Sequence, residues 1–446
     1  MSRLSRRNFI LTAGATALGA TVLHGCTSGN APTTNASPTT EGKASPTMAS
    51  GGEAPEVTTA KLGFIALTDS APLIIAKEKG LFDKYGMTGV EVLKQASWPV
   101  TRDNLELGSE GGGIDGAHIL SPMPYFMTLG TITKTKKPVP MYILARLNTQ
   151  GQAISLANTY KPLKVELDST PLKAEFAKAK AGGKESKVAI TFPGGTHDLW
   201  MRYWLAAGGI DPNKDVSVIP VPPPQMVANM KVGNMSAFCV GEPWNAQLVN
   251  QKLGYSALIT GQLWKDHPEK AFTMRKDWVD KNPKAALALL KAVLEAQQWC
   301  DDPANKEEMV KIISGRQYLK VPPDDILGRL QGKVDFGDGR KLDDPDLAMK
   351  FWKDNASYPY KSHDLWFLTE DMRWGYLPQT TDTKAVIDAV NREDLWKEAA
   401  KEIGVPAEQI PASSSRGVET FFDGVKFDPE NPKAYLDGLK IKAMKG

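Results

Sequence analysis

Short apolar runs alternate with helix-like segments along most of this chain, and that alternation constrains its fold more than any other feature. Ala60-Lys61-Leu62-Gly63-Phe64-Ile65 reads as a buried strand. Asp69 and Ser70 are candidate caps for a helix over 73–79, with Pro72 in its first turn. Gly80 to Gly86 closes that helix, and Val90-Glu91-Val92-Leu93 is the next strand. Strand, helix and strand at this spacing predict a parallel sheet with helices on its faces. The pattern continues with a helix over 104–107, a strand over 113–120 that enters a turn at Pro122 and Pro124, and a strand over 141–147. After a Lys- and Ala-rich stretch of exposed helices and loops (160–187), it restarts. Strands are expected over 188–192, 216–221 and 237–240, with helices over 198–207 and 227–232. The restart predicts a second α/β unit inserted into the first. The clearest helix, 283–300, has Asn282 as its cap, Pro283 in its first turn, and Leu289, Leu290, Val293 and Cys300 on one face. The last third is loop-rich and aromatic, which predicts packing between units rather than a sugar platform.

The N-terminus is of another kind. Ser5-Arg6-Arg7-Asn8-Phe9-Ile10 resembles a twin-arginine export signal, and the apolar run that follows is too short to span a bilayer. It ends in Leu23-His24-Gly25-Cys26, which resembles a lipobox with Cys26 as the lipidated residue. Residues 26–56, almost all Thr, Ser, Gly, Ala, Pro and Asn, cannot bury enough surface to fold and read as a tether. The expected division is therefore a signal peptide over 1–25 and a lipidated tether over 26–56, with the folded part beyond.

Several chemistries are absent. Of 446 residues, 54 are Lys or Arg and 51 Asp or Glu; a net charge of +3 argues against a nucleic-acid partner. Three cysteines exclude a disulfide scaffold, and Cys239 and Cys300 sit in apolar runs as core thiols. No Gly-x-Gly-x-x-Gly follows a strand, and no phosphate-binding Gly-x4-Gly-Lys-Ser/Thr, His-Glu-x-x-His or Gly-x-Ser-x-Gly occurs. The five histidines lack metal-ligand spacing. No cofactor, metal or catalytic group is expected.

Lys79-Gly80-Leu81-Phe82-Asp83-Lys84-Tyr85-Gly86, Thr191 to Asp198, Cys239-Val240-Gly241-Glu242-Pro243-Trp244 and His267-Pro268-Glu269-Lys270 together resemble the nitrate- and bicarbonate-binding lipoproteins of ABC importers. The resemblance runs over about residues 57–446. It implies an α/β, two-lobed periplasmic-binding-protein fold of class II type with the ligand in the interlobe cleft. Lobe I would hold 57–155 and 265–446, and lobe II 156–264. It further implies capture of nitrate and nitrite, ABC permease and ATPase subunits as partners, and a lipid anchor at Cys26. The protein would sit on the plasma membrane facing the periplasm. The family's ligand contacts fall on Trp98, Gln152, His197, Gly241 and Lys270, with Gln150 two residues from Gln152.

Those residue types suit the ligand. Nitrate is a planar monoanion with acceptors only, so its site needs several donors and about one positive charge. Lys270 brings the charge, Trp98 an indole N–H, Gln152 an amide and Gly241 a bare backbone; His197 can donate and, if protonated, add charge. The register at Glu269-Lys270 decides the alternative. Lys270 in the cleft favours nitrate, whereas Glu269 in its place favours calcium with bicarbonate. An anion-sensing receptor, a sulfonate importer component and an enzyme of the same fold remain as further readings. On the sequence alone, Lys270→Glu should abolish binding and leave the melting curve nearly unchanged.

Overall fold

The computed structural model describes residues 54–443. The expected signal peptide, Cys26 and the tether up to residue 53 lie outside the described residues. Ten strands carry the architecture: β1 (Thr59–Phe64), β2 (Gly89–Lys94), β3 (Gly116–Leu120), β4 (Met141–Thr149), β5 (Gln152–Ala157), β6 (Lys187–Ile190), β7 (Ser217–Pro220), β8 (Ala237–Gly241), β9 (Gly254–Ile259) and β10 (Pro268–Arg275). They form two five-stranded sheets, ordered β2-β1-β3-β10-β4 and β7-β6-β8-β5-β9. The first three strands of each sheet run parallel, and the fourth runs antiparallel to both its neighbours.

That reversed strand is in each case the one by which the chain enters from the other sheet. The first crossing is tight: Gln150 and Gly151, both at positive φ, separate β4 from β5. The expected division at 155/156 falls inside β5, which is wholly hydrogen-bonded into the second sheet. β3, β4, β8 and β9 are buried along their whole length, as strands are when helices cover both faces of a sheet.

Three local expectations change. Pro122 and Pro124 open a helix, Met123–Leu129, rather than a turn, because a proline in the first helical turn lacks only an N–H that would have no partner there. The helix expected over 104–107 begins at Trp98, where the Ser97 hydroxyl accepts the Val100 N–H. Asn282 does not cap its helix with its side chain. The Glu56 carboxylate does so from a distance, accepting the N–H groups of Lys284 and Ala285 at 3.1 and 3.0 Å.

The C-terminal third braces both sheets. In the helix Lys361–Arg373, Asp364 pairs with the buried Arg146 of β4, while Trp366 stacks on Trp200 at 4.9 Å and 16°. Trp200 belongs to the helix Thr196–Ala207 beside the second sheet. The aromatic residues therefore act in packing. Cys239 and Cys300 are free and buried. Among the described residues no helix is long and apolar enough to cross a membrane.

Candidate functional site

The C-terminal ends of β1, β3 and β8, the start of β10 and the start of the helix Thr196–Ala207 converge on one buried cluster. Its centre is Lys270, fully buried on β10. The Lys270 ammonium lies 2.9 Å from Asp69 Oδ2 and 2.7 Å from Glu269 Oε1, and 5.9 Å from the centre of the Trp98 ring. Neighbouring residues of a strand ordinarily face opposite ways. Here the pairing of β10 with β4 shifts register on both sides of Lys270, and this irregularity lets Glu269 and Lys270 reach the same cluster. The sequence choice between Glu269 and Lys270 is thus not exclusive: both side chains are present, and they pair with each other.

Two histidines complete the charge pattern. The Ile65 N–H reaches His118 Nδ1 at 3.4 Å, so Nε2 carries the proton and donates to Asp69 Oδ1 at 2.6 Å. His197 Nδ1 is 2.6 Å from the Thr191 hydroxyl, and its Nε2 is 3.4 Å from Glu269 Oε1 and 3.5 Å from the Lys270 ammonium. Burial and the Lys270 charge push the His197 ring down to about 3, against the pull of Glu269 and Asp69. With no anion present, His197 therefore adds no charge of its own. Burial also lowers His118 against the pull of Asp69. For Lys270 the same burial is outweighed by Asp69 and Glu269, which hold it above the usual lysine value. Asp69 is held below the usual carboxylate range by Lys270 and His118, although burial alone would raise it.

The other expected residues adjoin this centre. Trp98 is fully buried, and its indole N–H has no partner. Gln152 lies opposite Gly241 in the β5–β8 pairing. Thr260 donates to the Gln152 side-chain carbonyl at 3.2 Å, which leaves the buried Nε2 without a partner. Gln150, by contrast, spends its amide on the carbonyls of Asp346 and Ala348. At Gly241 a Cβ would stand 3.2 Å from Asp69 Oδ2 and from Leu67, so a side chain would press on the carboxylate that holds Lys270.

Sequence reasoning missed four contributors. Asp69, taken as a helix cap, makes no capping bond and pairs with Lys270 instead. His118 gave no signal beyond lying in a strand. Thr196 and Trp200 are one turn apart at the start of their helix; the hydroxyl of one and the indole of the other both donate to Glu269, the indole at 2.8 Å. The Pro193-Gly194-Gly195 turn delivers them, with Gly194 at a φ of 69°. Among the described residues no group of three or more His, Cys, Asp or Glu is placed to hold a metal ion.

The arrangement is a sealed, polar junction of ammonium, indole, amide and imidazole donors. Comparison with known proteins agrees in kind. Residues 53–314 match the NMT1-like family. The chain is 65% identical over 445 residues, all of both chains, to the nitrate/nitrite binding protein NrtA of Synechococcus elongatus. It is 47% identical over 448 residues, 98% of each, to the bicarbonate-binding protein CmpA of the same organism. The crystal structure of the periplasmic nitrate-binding protein NrtA from Synechocystis superposes with a TM-score of 0.85 at 68% identity, covering 87% of this chain and 100% of that one.

Proposed function

The chain belongs to the NMT1-like family, and from that premise we propose that it captures nitrate and nitrite in the junction between its two sheets and delivers them to an ABC importer. It is a binding protein and not an enzyme. One observation carries the choice of ligand. Two buried donors, Trp98 Nε1 and Gln152 Nε2, lack acceptors beside a cluster built on a buried ammonium. An acceptor-only anion supplies what they lack, and each bond to a charged group contributes about 1.5–3 kcal/mol.

In this reading Lys270 binds the anion's charge, Trp98 and Gln152 donate to its oxygens, and His197 donates through Nε2 with its Nδ1 hydrogen-bonded to the Thr191 hydroxyl. Gly241 lets backbone come close without a side chain. The lobes are the two sheets with their helices. They close over the anion about the crossings between β4 and β5 and between β9 and β10. The contacts that join the sheets, Thr68 N–H to the Glu242 carbonyl at 2.8 Å and the Trp244 indole to the Ala66 carbonyl at 3.0 Å, belong to the closed state. Cys26 carries the lipid, the expected tether ends before Glu56, which is bonded to the folded body, and the folded part works in the periplasm with a permease and an ATPase as partners.

The bicarbonate reading draws on Glu269, an acceptor that suits a ligand bearing a proton. Calorimetric titration with nitrate, nitrite and bicarbonate, with and without calcium, separates the two. Nitrate and nitrite should bind without calcium. Silence with both, and a calcium-dependent signal with bicarbonate, would overturn the assignment.

A further inference from the structure

The buried charges at the junction do not balance. One ammonium, Lys270, serves two carboxylates, Asp69 and Glu269, and both adjacent imidazoles, His118 and His197, are neutral. All five side chains are fully buried. The other titratable groups around Glu269 add no positive charge. The Cys239 thiol of β8 is pushed up by burial and by Glu269, and His267, whose ring packs on Trp200 at 4.4 Å, is neutral. Before any anion arrives the cluster therefore carries one net negative charge. A monoanion would make it two, with no water to solvate them.

We propose that the junction takes up one proton together with its anion, and that the proton is held by the His197–Glu269 pair. This rests on the anion-capture reading above. His197 is built for the part. Its Nε2 faces Glu269 Oε1 at 3.4 Å and the Lys270 ammonium at 3.5 Å, so the ring is kept neutral chiefly by burial and by a cation that a bound anion would neutralise. On its far side, Thr191 is a hydroxyl, which donates to a bare Nδ1 and accepts from a protonated one. Both protonation states are thus hydrogen-bonded without movement. The proton comes from bulk water or buffer, one N–H bond forms on the ring, and nothing else is made or broken. The resulting imidazolium offsets the carboxylate beside it.

The test is calorimetric titration of the full chain with sodium nitrate at pH 6.5 in phosphate, imidazole and Tris buffers, which differ in ionisation enthalpy. The slope of observed against buffer enthalpy counts protons. It should be close to one taken up per nitrate, and affinity should fall about tenfold per pH unit as pH rises. Glu269→Gln removes the surplus charge and His197→Gln the group that holds the proton; both lie in the site and should shift nitrate affinity, and the slope measured for each should fall near zero. Nitrate binding with zero slope in the unsubstituted chain overturns this inference alone. Absence of any nitrate binding, by heat or by tryptophan fluorescence, overturns the anion-capture reading and this inference with it.

Discussion

Glu269 and Glu370 are both fully buried, and each accepts from one indole, one hydroxyl and one cation. For Glu269 these are Trp200, Thr196 and Lys270. For Glu370 they are Trp374 at 3.0 Å, Tyr435 at 2.6 Å and Arg373 at 3.1 and 3.2 Å. The donor set is the same and the outcome differs. Arg373 answers the Glu370 charge one to one, its Nε donates to the Ile441 carbonyl, and no buried polar atom of these four side chains lacks a partner, although the adjacent buried Asp371, whose carboxyl is pushed well up by burial, has none. Around Glu269 a second carboxylate shares the cation, and the Trp98 and Gln152 donors next to the cluster have no acceptor. A buried polar group left unpaired costs about 1–3 kcal/mol. In the proposed site the anion supplies the missing partners, whereas the set around Glu370 ties the C-terminal segment to the body.

Variants can break this contrast, and the largest effect should come from Lys270. Lys270→Glu should abolish nitrate binding, with more than about 100-fold loss of affinity if two charge-assisted bonds are removed. It should also destabilise the protein by about 3–5 kcal/mol or more, because Asp69 and Glu269 lose a buried partner and gain a like charge. That replaces the sequence-based expectation of an unchanged melting curve; titration and thermal melts check both halves. Arg373→Met should cost a similar 3–5 kcal/mol in stability and leave nitrate affinity unchanged. A folded Arg373→Met protein with weakened nitrate binding would sink the division between the two clusters.

The two indoles sharpen it. Trp98→Phe should weaken nitrate by about 10- to 100-fold and barely move the melting temperature of the ligand-free protein, since its N–H has no partner there to lose. Trp374→Phe should do the reverse, removing about 1–3 kcal/mol of stability at constant affinity. Equal melting losses in both variants would erase the distinction.

The smallest effect, counted per ring and per pH unit, is in pH. Burial holds the rings of His197, His267 and His363 at about 3, well below the 6.5 of an unfolded chain. Between those values the unfolded chain binds more protons, so stability falls as pH drops from 6.5 toward 3. The slope is about 1.4 kcal/mol per pH unit for each ring. Saturating nitrate should remove the share of His197. Melting curves at several pH values, with and without nitrate, measure it, and a melting temperature flat below pH 6 would contradict the burial of these rings.

The strand and helix alternation was legible because each unit is local: Pro72 and Pro283 lie in first helical turns, and the Pro193-Gly194-Gly195 turn precedes a helix, as their chemistry requires. The five expected site residues came from the family's motifs, since a lone Lys or Gln carries no signal of its own. What stayed hidden was long-range. Asp69 and Lys270 are 201 positions apart and meet only because β10 is inserted beside β3. The irregular register that turns Glu269 and Lys270 toward one cluster has no local mark, and neither does a cap supplied to residues 284 and 285 by Glu56.

The exchange of strands between the sheets also sets a timetable for biosynthesis. β4 touches no strand of its own sheet except β10. It must therefore wait, unpaired, while all five strands of the second sheet are made. The first sheet cannot close until the ribosome has released residue 275, and a shorter nascent chain exposes the edges of β3 and β4 to any chaperone or stray strand that meets them.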